Sequence, residues 1–150
     1  MKENKTLQRY EFKYFLTKNI ADEIKEHVNK FMILDKYANL GLKNRYFVRS
    51  IYFEDNFNSN FDEKINGYRI RKKFRLRYYN QSIQKGPIFL ETKGRYLERT
   101  YKRRVKINLS DVKIIKEKKF VFNLLNKYPQ SVPIQDFVFE FYKKQLRPKI

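Results

Sequence analysis

Residues 69–79 constrain the fold more than any other part of this sequence. Read at every second position, the stretch carries a cation, and the positions between are apolar except for Lys72. The cations are Arg69, Arg71, Lys73, Arg75 and Arg77, and the apolar set is Ile70, Phe74, Leu76 and Tyr78. Successive side chains of a β-strand point to opposite faces. The pattern therefore predicts a strand with one apolar face and one cationic face.

Two interpretations of the cationic face remain open at this point. Like charges on alternate residues of a strand lie about 7 Å apart and repel unless water or a polyanion screens them. The face is then either the solvated side of a half-buried antiparallel strand or a surface built for anions. Arginine supplies most of the charge, and its planar fork matches the oxygens of phosphate.

Composition limits the classes of function. The chain has 150 residues, 35 Lys and Arg against 16 Asp and Glu, and a net charge of +19. Such a charge attracts nucleic acid, anionic lipid or polyphosphate. The absence of cysteine and the single histidine, His27, exclude disulfides, thiolate metal sites and histidine clusters. The length predicts a single domain over residues 1–150. With no signal peptide and no apolar run of about 20 residues, we expect a cytoplasmic protein.

The rest of the chain alternates in the same way or shows helical spacing. Strands are predicted at residues 10–16, 47–53, 88–93 and 99–109. Helices are predicted after a cap at Thr17 or Asn19, and at residues 110–115, 120–128 and 134–146. Residues 54–60 and 80–87 are predicted as loops, and Gly41 as a turn. Strands precede most of the helices, which predicts an α+β fold with an antiparallel sheet and flanking helices.

The strands after residue 80 repeat the cationic face. Lys93 shares a face with Glu91, and Lys102 shares one with Arg104. If consecutive strands pair as a meander, these faces adjoin that of Arg71, Lys73, Arg75 and Arg77 and focus one positive field. Glu91, and Glu11 on the first predicted strand, either bind a metal ion that bridges to phosphate oxygens or pair with neighbouring cations.

Five short motifs, taken in order, resemble a known family. They are Arg9-Tyr10-Glu11-Phe12-Lys13-Tyr14, Ser50-Ile51-Tyr52-Phe53, Phe74-Arg75-Leu76-Arg77-Tyr78, Phe89-Leu90-Glu91-Thr92-Lys93 and Leu146-Arg147-Pro148. Their order and spacing resemble the VTC domain, the polyphosphate polymerase branch of the triphosphate tunnel (CYTH-like) superfamily. The resemblance implies an antiparallel β-barrel with a basic lumen that binds ATP, another triphosphate or polyphosphate. It also implies transfer of the γ-phosphoryl group of ATP to polyphosphate with Mn²⁺ or Mg²⁺.

The resemblance assigns roles by position. Lys13, Arg75, Arg77 and Lys93 match the family's basic site residues and would be catalytic through electrostatic stabilisation and positioning. Lys102, or alternatively Arg104, matches a further basic position. Arg9-x-Glu11-x-Lys13 stands where the wider superfamily has Glu-x-Glu-x-Lys, which resembles the VTC branch rather than cyclases or thiamine triphosphatases.

The resemblance also predicts a domain truncated at its C-terminus. In the family the second half of the barrel follows Leu146-Arg147-Pro148 and brings two arginines, the main metal-binding glutamate and another lysine. We therefore expect self-association, or a partner chain that completes the barrel, because open strand edges promote pairing. Three hypotheses follow: an enzyme that transfers or hydrolyses phosphate, a module that binds polyphosphate without turnover, and a nucleic-acid-binding protein.

Overall fold

The structure, a computed structural model, describes residues 8–35, 38, 45–79, 86–117 and 119–149. The chain divides into two compact units. Residues 11–47 form one unit, and residues 1–10 with 48–150 form the other. The predicted turn at Gly41 and most of the predicted loop at residues 80–87 lie outside the described residues.

The smaller unit contains helix α1, Lys18–Val28. The helix begins where the sequence predicts a cap, because the Thr17 hydroxyl oxygen accepts a hydrogen bond of 3.5 Å from the N–H of Ile20. The prediction of a strand at residues 10–16 is wrong, since these residues are described and adopt no strand. Alternation gives a segment two faces, but a strand also needs a neighbour to complete its backbone hydrogen bonds.

The larger unit is built on an antiparallel sheet of five strands in the order β4-β3-β2-β1-β5. The strands are β1 Arg49–Glu54, β2 Ile70–Tyr78, β3 Ile88–Tyr96, β4 Arg99–Ile107 and β5 Arg147–Lys149. Strands β1 to β4 form a meander, and β5 returns to pair with β1. This confirms the predicted α+β fold and antiparallel sheet. Among the described residues the sheet is open, with β4 and β5 as its edges.

Within the described part of the larger unit, four helices accompany the sheet. They are α2 Ser59–Ile65, α3 Leu109–Lys113, α4 Lys119–Lys127 and α5 Val132–Lys144. The last three confirm the predicted helices to within a few residues. Helix α2 contradicts the prediction of a loop at residues 54–60, because it begins at Ser59. The carboxylate of Asp55 accepts hydrogen bonds from the N–H groups of Phe57 and Ser59, so the polar residues that suggested a loop instead start a helix.

The hydrophobic core lies between one face of the sheet and helices α3, α4 and α5. Phe74, Leu76 and Leu90 of the sheet are buried together with Phe120 and Phe137 of the helices. The ring of Phe137 makes edge contacts with Phe53 and Phe74, at centroid distances of 4.7 and 5.4 Å. The apolar face of β2 is therefore the core face, as predicted, and its cations lie on the opposite side.

Lys72 is the one cation of β2 on the core face. Its ammonium lies 2.7 Å from Asp136 and 3.0 Å from Glu140, both on α5. Burial lowers the pKa of Lys72, but the hydrogen bonds to these two carboxylates raise it more, so the net shift is upward. The exception to the alternating pattern is thus an ionic link between the sheet and α5.

Candidate phosphate-binding face

Strand register brings the cations of three neighbouring strands onto one face of the sheet. We call this the basic face; its cations are Arg71, Lys73, Arg75 and Arg77 of β2, Lys93 and Arg95 of β3, and Lys102, Arg104 and Lys106 of β4. Directly opposed residues of an antiparallel pair have side chains on the same side of the sheet, about 4.5–5.5 Å apart at Cβ. The cationic faces of the separate strands therefore join into one surface, as the sequence predicts.

One row across the basic face consists of lysines alone. Lys73 lies opposite Lys93, and Lys93 lies opposite Lys102. Like charges in directly opposed positions destabilise a sheet. A row of this kind carries an electrostatic cost in the free protein, and a bound polyanion would remove it.

Arg75 occupies the centre of the next row. Its Nε and Nη2 groups donate hydrogen bonds of 2.9 and 2.8 Å to Oε2 of Glu91, the residue opposite it on β3. Its Nη1 group donates a hydrogen bond of 2.9 Å to the hydroxyl of Tyr52, the residue opposite it on β1. Both members of the ion pair are buried, since Arg75 is 7% and Glu91 0% exposed. The guanidinium is thus fixed from both sides.

Hydrogen bonding outweighs burial in its effect on the pKa of Arg75. Burial lowers the pKa of its guanidinium, and the hydrogen bonds to Glu91 and Tyr52 raise it above the ordinary value.

Arg77 is held more loosely than Arg75. Its Nε lies 3.4 Å from the Ser50 hydroxyl and 3.9 Å from Oε2 of Glu91. Arg77 therefore keeps more of its donors for a ligand than Arg75 does.

The charges of the basic face are close enough to affect one another. Burial lowers the pKa of Lys102, and the nearby charges of Arg104, Arg9 and Arg77 lower it further, against the opposing effect of Glu91. An anion bound near Lys102 would raise that pKa again, because opposite charge favours the protonated amine. Arg104 also packs over the ring of Phe89, 4.7 Å from guanidinium carbon to ring centroid.

Glu91 is the one predicted metal ligand on the basic face. Its Oε1 atom is buried and accepts no hydrogen bond from any residue that the structure describes. Within the described ranges no group of three or more acidic or histidine side chains could hold a metal ion. Mg²⁺ commonly binds through one or two carboxylates together with water and substrate phosphates. The described residues thus fit a metal only in part, since Glu91 has one carboxylate oxygen without a hydrogen bond but that oxygen is buried.

The two predicted residues of the smaller unit pair with each other. Lys13 lies 3.6 Å from Glu11 and is largely exposed. All other predicted site residues, namely Arg71, Lys73, Arg75, Arg77, Glu91, Lys93, Lys102 and Arg104, lie together on the basic face. Glu91 and Glu11 each pair with a cation, which is the alternative to metal binding that the sequence left open.

Three residues beside these were not predicted as part of the site. Tyr52 and Ser50 of β1 accept hydrogen bonds from the paired arginines. The backbones of Arg9 and Thr100 exchange hydrogen bonds of 3.0 and 2.9 Å. Because Thr100 belongs to β4, this pairing places Arg9 near Lys102. The alternation of β1, with Ser50 and Tyr52 on one face and Ile51 and Phe53 on the other, is the signal that could have identified the two hydroxyls.

No helix within the described ranges combines the length and apolar character that crossing a membrane requires.

Comparison with known proteins assigns the chain to a family. A comparison with curated proteins found no match to the chain. The family model of the VTC domain matches residues 8–150. Because this match spans nearly all of the sequence, the chain belongs to the VTC domain family.

Proposed function

We propose that the basic face binds the phosphate chain of polyphosphate or of a nucleotide triphosphate such as ATP. The single observation that carries the proposal is the convergence of cations from β2, β3 and β4 on one face, with Arg75 fixed between Glu91 and Tyr52. The proposed binding residues of the basic face are Arg71, Lys73, Arg75, Arg77, Lys93, Lys102 and Arg104. Lys13, which belongs to the smaller unit, is a further binding residue that the resemblance implies.

A phosphate chain suits this arrangement better than water alone. The opposed lysines at positions 73, 93 and 102 repel one another in the free protein, and a bound chain of negative charges reverses that cost. The fixed guanidinium of Arg75 loses little conformational freedom on binding. A phosphate chain also presents several oxygens in sequence, and donors on different strands can each take one.

Membership of the VTC family supports a reaction as well as binding. The reaction that the resemblance implies is transfer of the γ-phosphoryl group of ATP to polyphosphate. Lys13, Arg75, Arg77 and Lys93 would act in it by positioning the phosphates and stabilising their charge. Mn²⁺ or Mg²⁺ would neutralise phosphate charge when bound, with Glu91 as one ligand. Binding without turnover is the alternative, and an assay of polyphosphate formation from ATP distinguishes the two.

The open sheet supports a barrel completed by further strands. Edge strand β4, nine residues long, has one edge paired to β3, and within the described residues only Arg9 bridges to its other edge. Strands added along β4 and β5 would enclose the basic face as a lumen, and a second copy of the chain is one source of such strands. Sedimentation velocity tests this, because a monomer at every concentration would argue against self-association.

Titration calorimetry with tripolyphosphate tests the proposed binding. Arg77→Ala is the informative variant, because Arg77 lies on the basic face without the short ion pair that fixes Arg75. Lys143→Ala, at an exposed position of α5, removes the same charge from elsewhere and is the control. We expect Arg77→Ala to weaken binding by about tenfold or more, the effect of one charge-assisted hydrogen bond. Equal affinities for the two variants would contradict the assignment.

Nucleic acid is the competing ligand for a protein of this charge. A duplex or single strand would contact many phosphates over a large area, so its affinity would fall steeply with salt and no single arginine would dominate. Short tripolyphosphate should displace a bound polyphosphate chain but should displace nucleic acid poorly. Tight binding of an oligonucleotide that tripolyphosphate cannot displace would favour the nucleic-acid alternative.

A further inference from the structure

Tyr52 lies on the basic face beside the cations. It is 41% exposed and stands opposite Arg75 on one side and Lys149 on the other. Its ring faces the guanidinium of Arg75, 5.7 Å from the guanidinium carbon to the ring centroid. The side chain is thus held in place by Arg75 and remains open to the solvent side of the face.

The hydroxyl of Tyr52 has one proton to donate. A phenol carries one O–H donor and can accept hydrogen bonds through its lone pairs. Here the oxygen accepts the hydrogen bond from Nη1 of Arg75, at 2.9 Å. Neither neighbour in its row can receive the proton, because Arg75 and Lys149 are cations without an acceptor. Oε2 of Glu91 lies on the far side of the guanidinium and already accepts from it.

We propose that the Tyr52 hydroxyl donates a hydrogen bond to a non-bridging oxygen of the phosphate chain, which makes Tyr52 a binding residue of the proposed site. The inference rests on the proposed function and extends the site from β2 to β1. Accepting a hydrogen bond from a guanidinium polarises the O–H group and strengthens it as a donor. The chain would then lie across the strands, from the lysines of β3 and β4 to Tyr52.

Tyr52→Phe tests this contact, because it removes the hydroxyl and keeps the ring over Arg75. Polyphosphate binding is measured by calorimetry over a range of salt concentrations, and thermal unfolding checks that each variant is folded. The control is Tyr142→Phe, which removes the hydroxyl of an exposed tyrosine on α5. We expect Tyr52→Phe to weaken binding about tenfold and Tyr142→Phe to leave it unchanged.

The salt dependence separates direct contact from an effect through Arg75. A neutral donor adds nothing to the number of ions displaced, so its loss leaves the slope of log affinity against log salt unchanged. Loss of a cation's contact with phosphate lowers that slope by about one. Weaker binding with an unchanged slope supports the inference. An affinity within about twofold of the unsubstituted chain, well below the effect of a lost hydrogen bond, overturns it.

Two further outcomes are also decisive. Weaker binding of Tyr52→Phe with a lower slope would show that Tyr52 only positions Arg75, and it would overturn the inference while leaving the proposed function standing. Failure of the unsubstituted chain to bind polyphosphate would contradict the proposed function, and the role of Tyr52 with it.

Discussion

Arg75 combines a structural role in the sheet with a central place in the proposed binding site. Its guanidinium is buried on a face otherwise rich in exposed cations, and Glu91 accepts two of its hydrogen bonds. Two charges taken out of water are tolerable only when each satisfies the other. The pair therefore fixes the direction of one arginine before any ligand arrives, which reduces the cost of ordering it on binding.

Removal of Arg75 should destabilise the fold as well as the site. Arg75→Ala leaves the buried carboxylate of Glu91 without its partner, and we expect the free energy of unfolding to fall by about 3–5 kcal/mol. Urea denaturation followed by circular dichroism measures this. The double variant Arg75→Met/Glu91→Leu should recover much of the loss, because no buried charge remains. If the single and double variants were equally unstable, the ion pair would not be the cause.

At the scale of elements, Gly94 and Tyr101 determine how β3 and β4 pack. The two residues lie directly opposite each other on the core face, and the Tyr101 ring covers the glycine. A Cβ atom at position 94 would lie 2.1–2.3 Å from the ring atoms and hydroxyl of Tyr101. The hairpin thus depends on a glycine to admit a large ring, and that ring covers part of the core face.

Gly94→Ala should therefore weaken the β3–β4 pair. We expect a loss of about 1–3 kcal/mol in the free energy of unfolding, the usual cost of overpacking. Chemical denaturation of Gly94→Ala, Tyr101→Ala and the double variant forms a cycle that isolates the contact. Most of the cost of Gly94→Ala should disappear when Tyr101 is already alanine. Simple additivity of the two substitutions would show that the ring does not cause the strain.

Contacts between elements that are distant in the sequence set the limit of what the sequence could predict. The alternation of β2 correctly assigned both of its faces, because the period of a strand is a local property. The same alternation failed at residues 10–16, where no neighbouring strand completes the hydrogen bonds among the described residues. Lys72 pairs with Asp136 and Glu140, which lie more than 60 positions away in the sequence. These pairs could not be inferred from the sequence.

The sequence predicted the cations of the candidate site but not its hydroxyl groups. Arg75, Arg77, Lys93 and Lys102 were found because charge repeated at every second position stands out in sequence. Tyr52 was not, because an isolated tyrosine in a strand is usually a packing residue. Its role depends on the register between β1 and β2, which places it opposite Arg75 and which only the fold reveals.

At the scale of the whole molecule, charge is divided between the two faces of the sheet. On the core face the one lysine of β2 pairs with two carboxylates of α5, whereas the basic face collects cations from three strands with Glu91 as its buried acid. The basic face therefore carries a local excess of positive charge. A positive field of this kind raises the local concentration of anions and speeds their association.

The central claim is that this field forms a specific phosphate site, and one titration tests it most directly. The unsubstituted chain is titrated with tripolyphosphate at moderate salt by calorimetry, with and without Mn²⁺. The account predicts saturable binding that ATP competes for and that is accompanied by proton uptake at alkaline pH, because the anion raises the depressed pKa of Lys102. Weak, non-saturating heats that vanish with added salt would contradict it and leave the basic face a solvated surface.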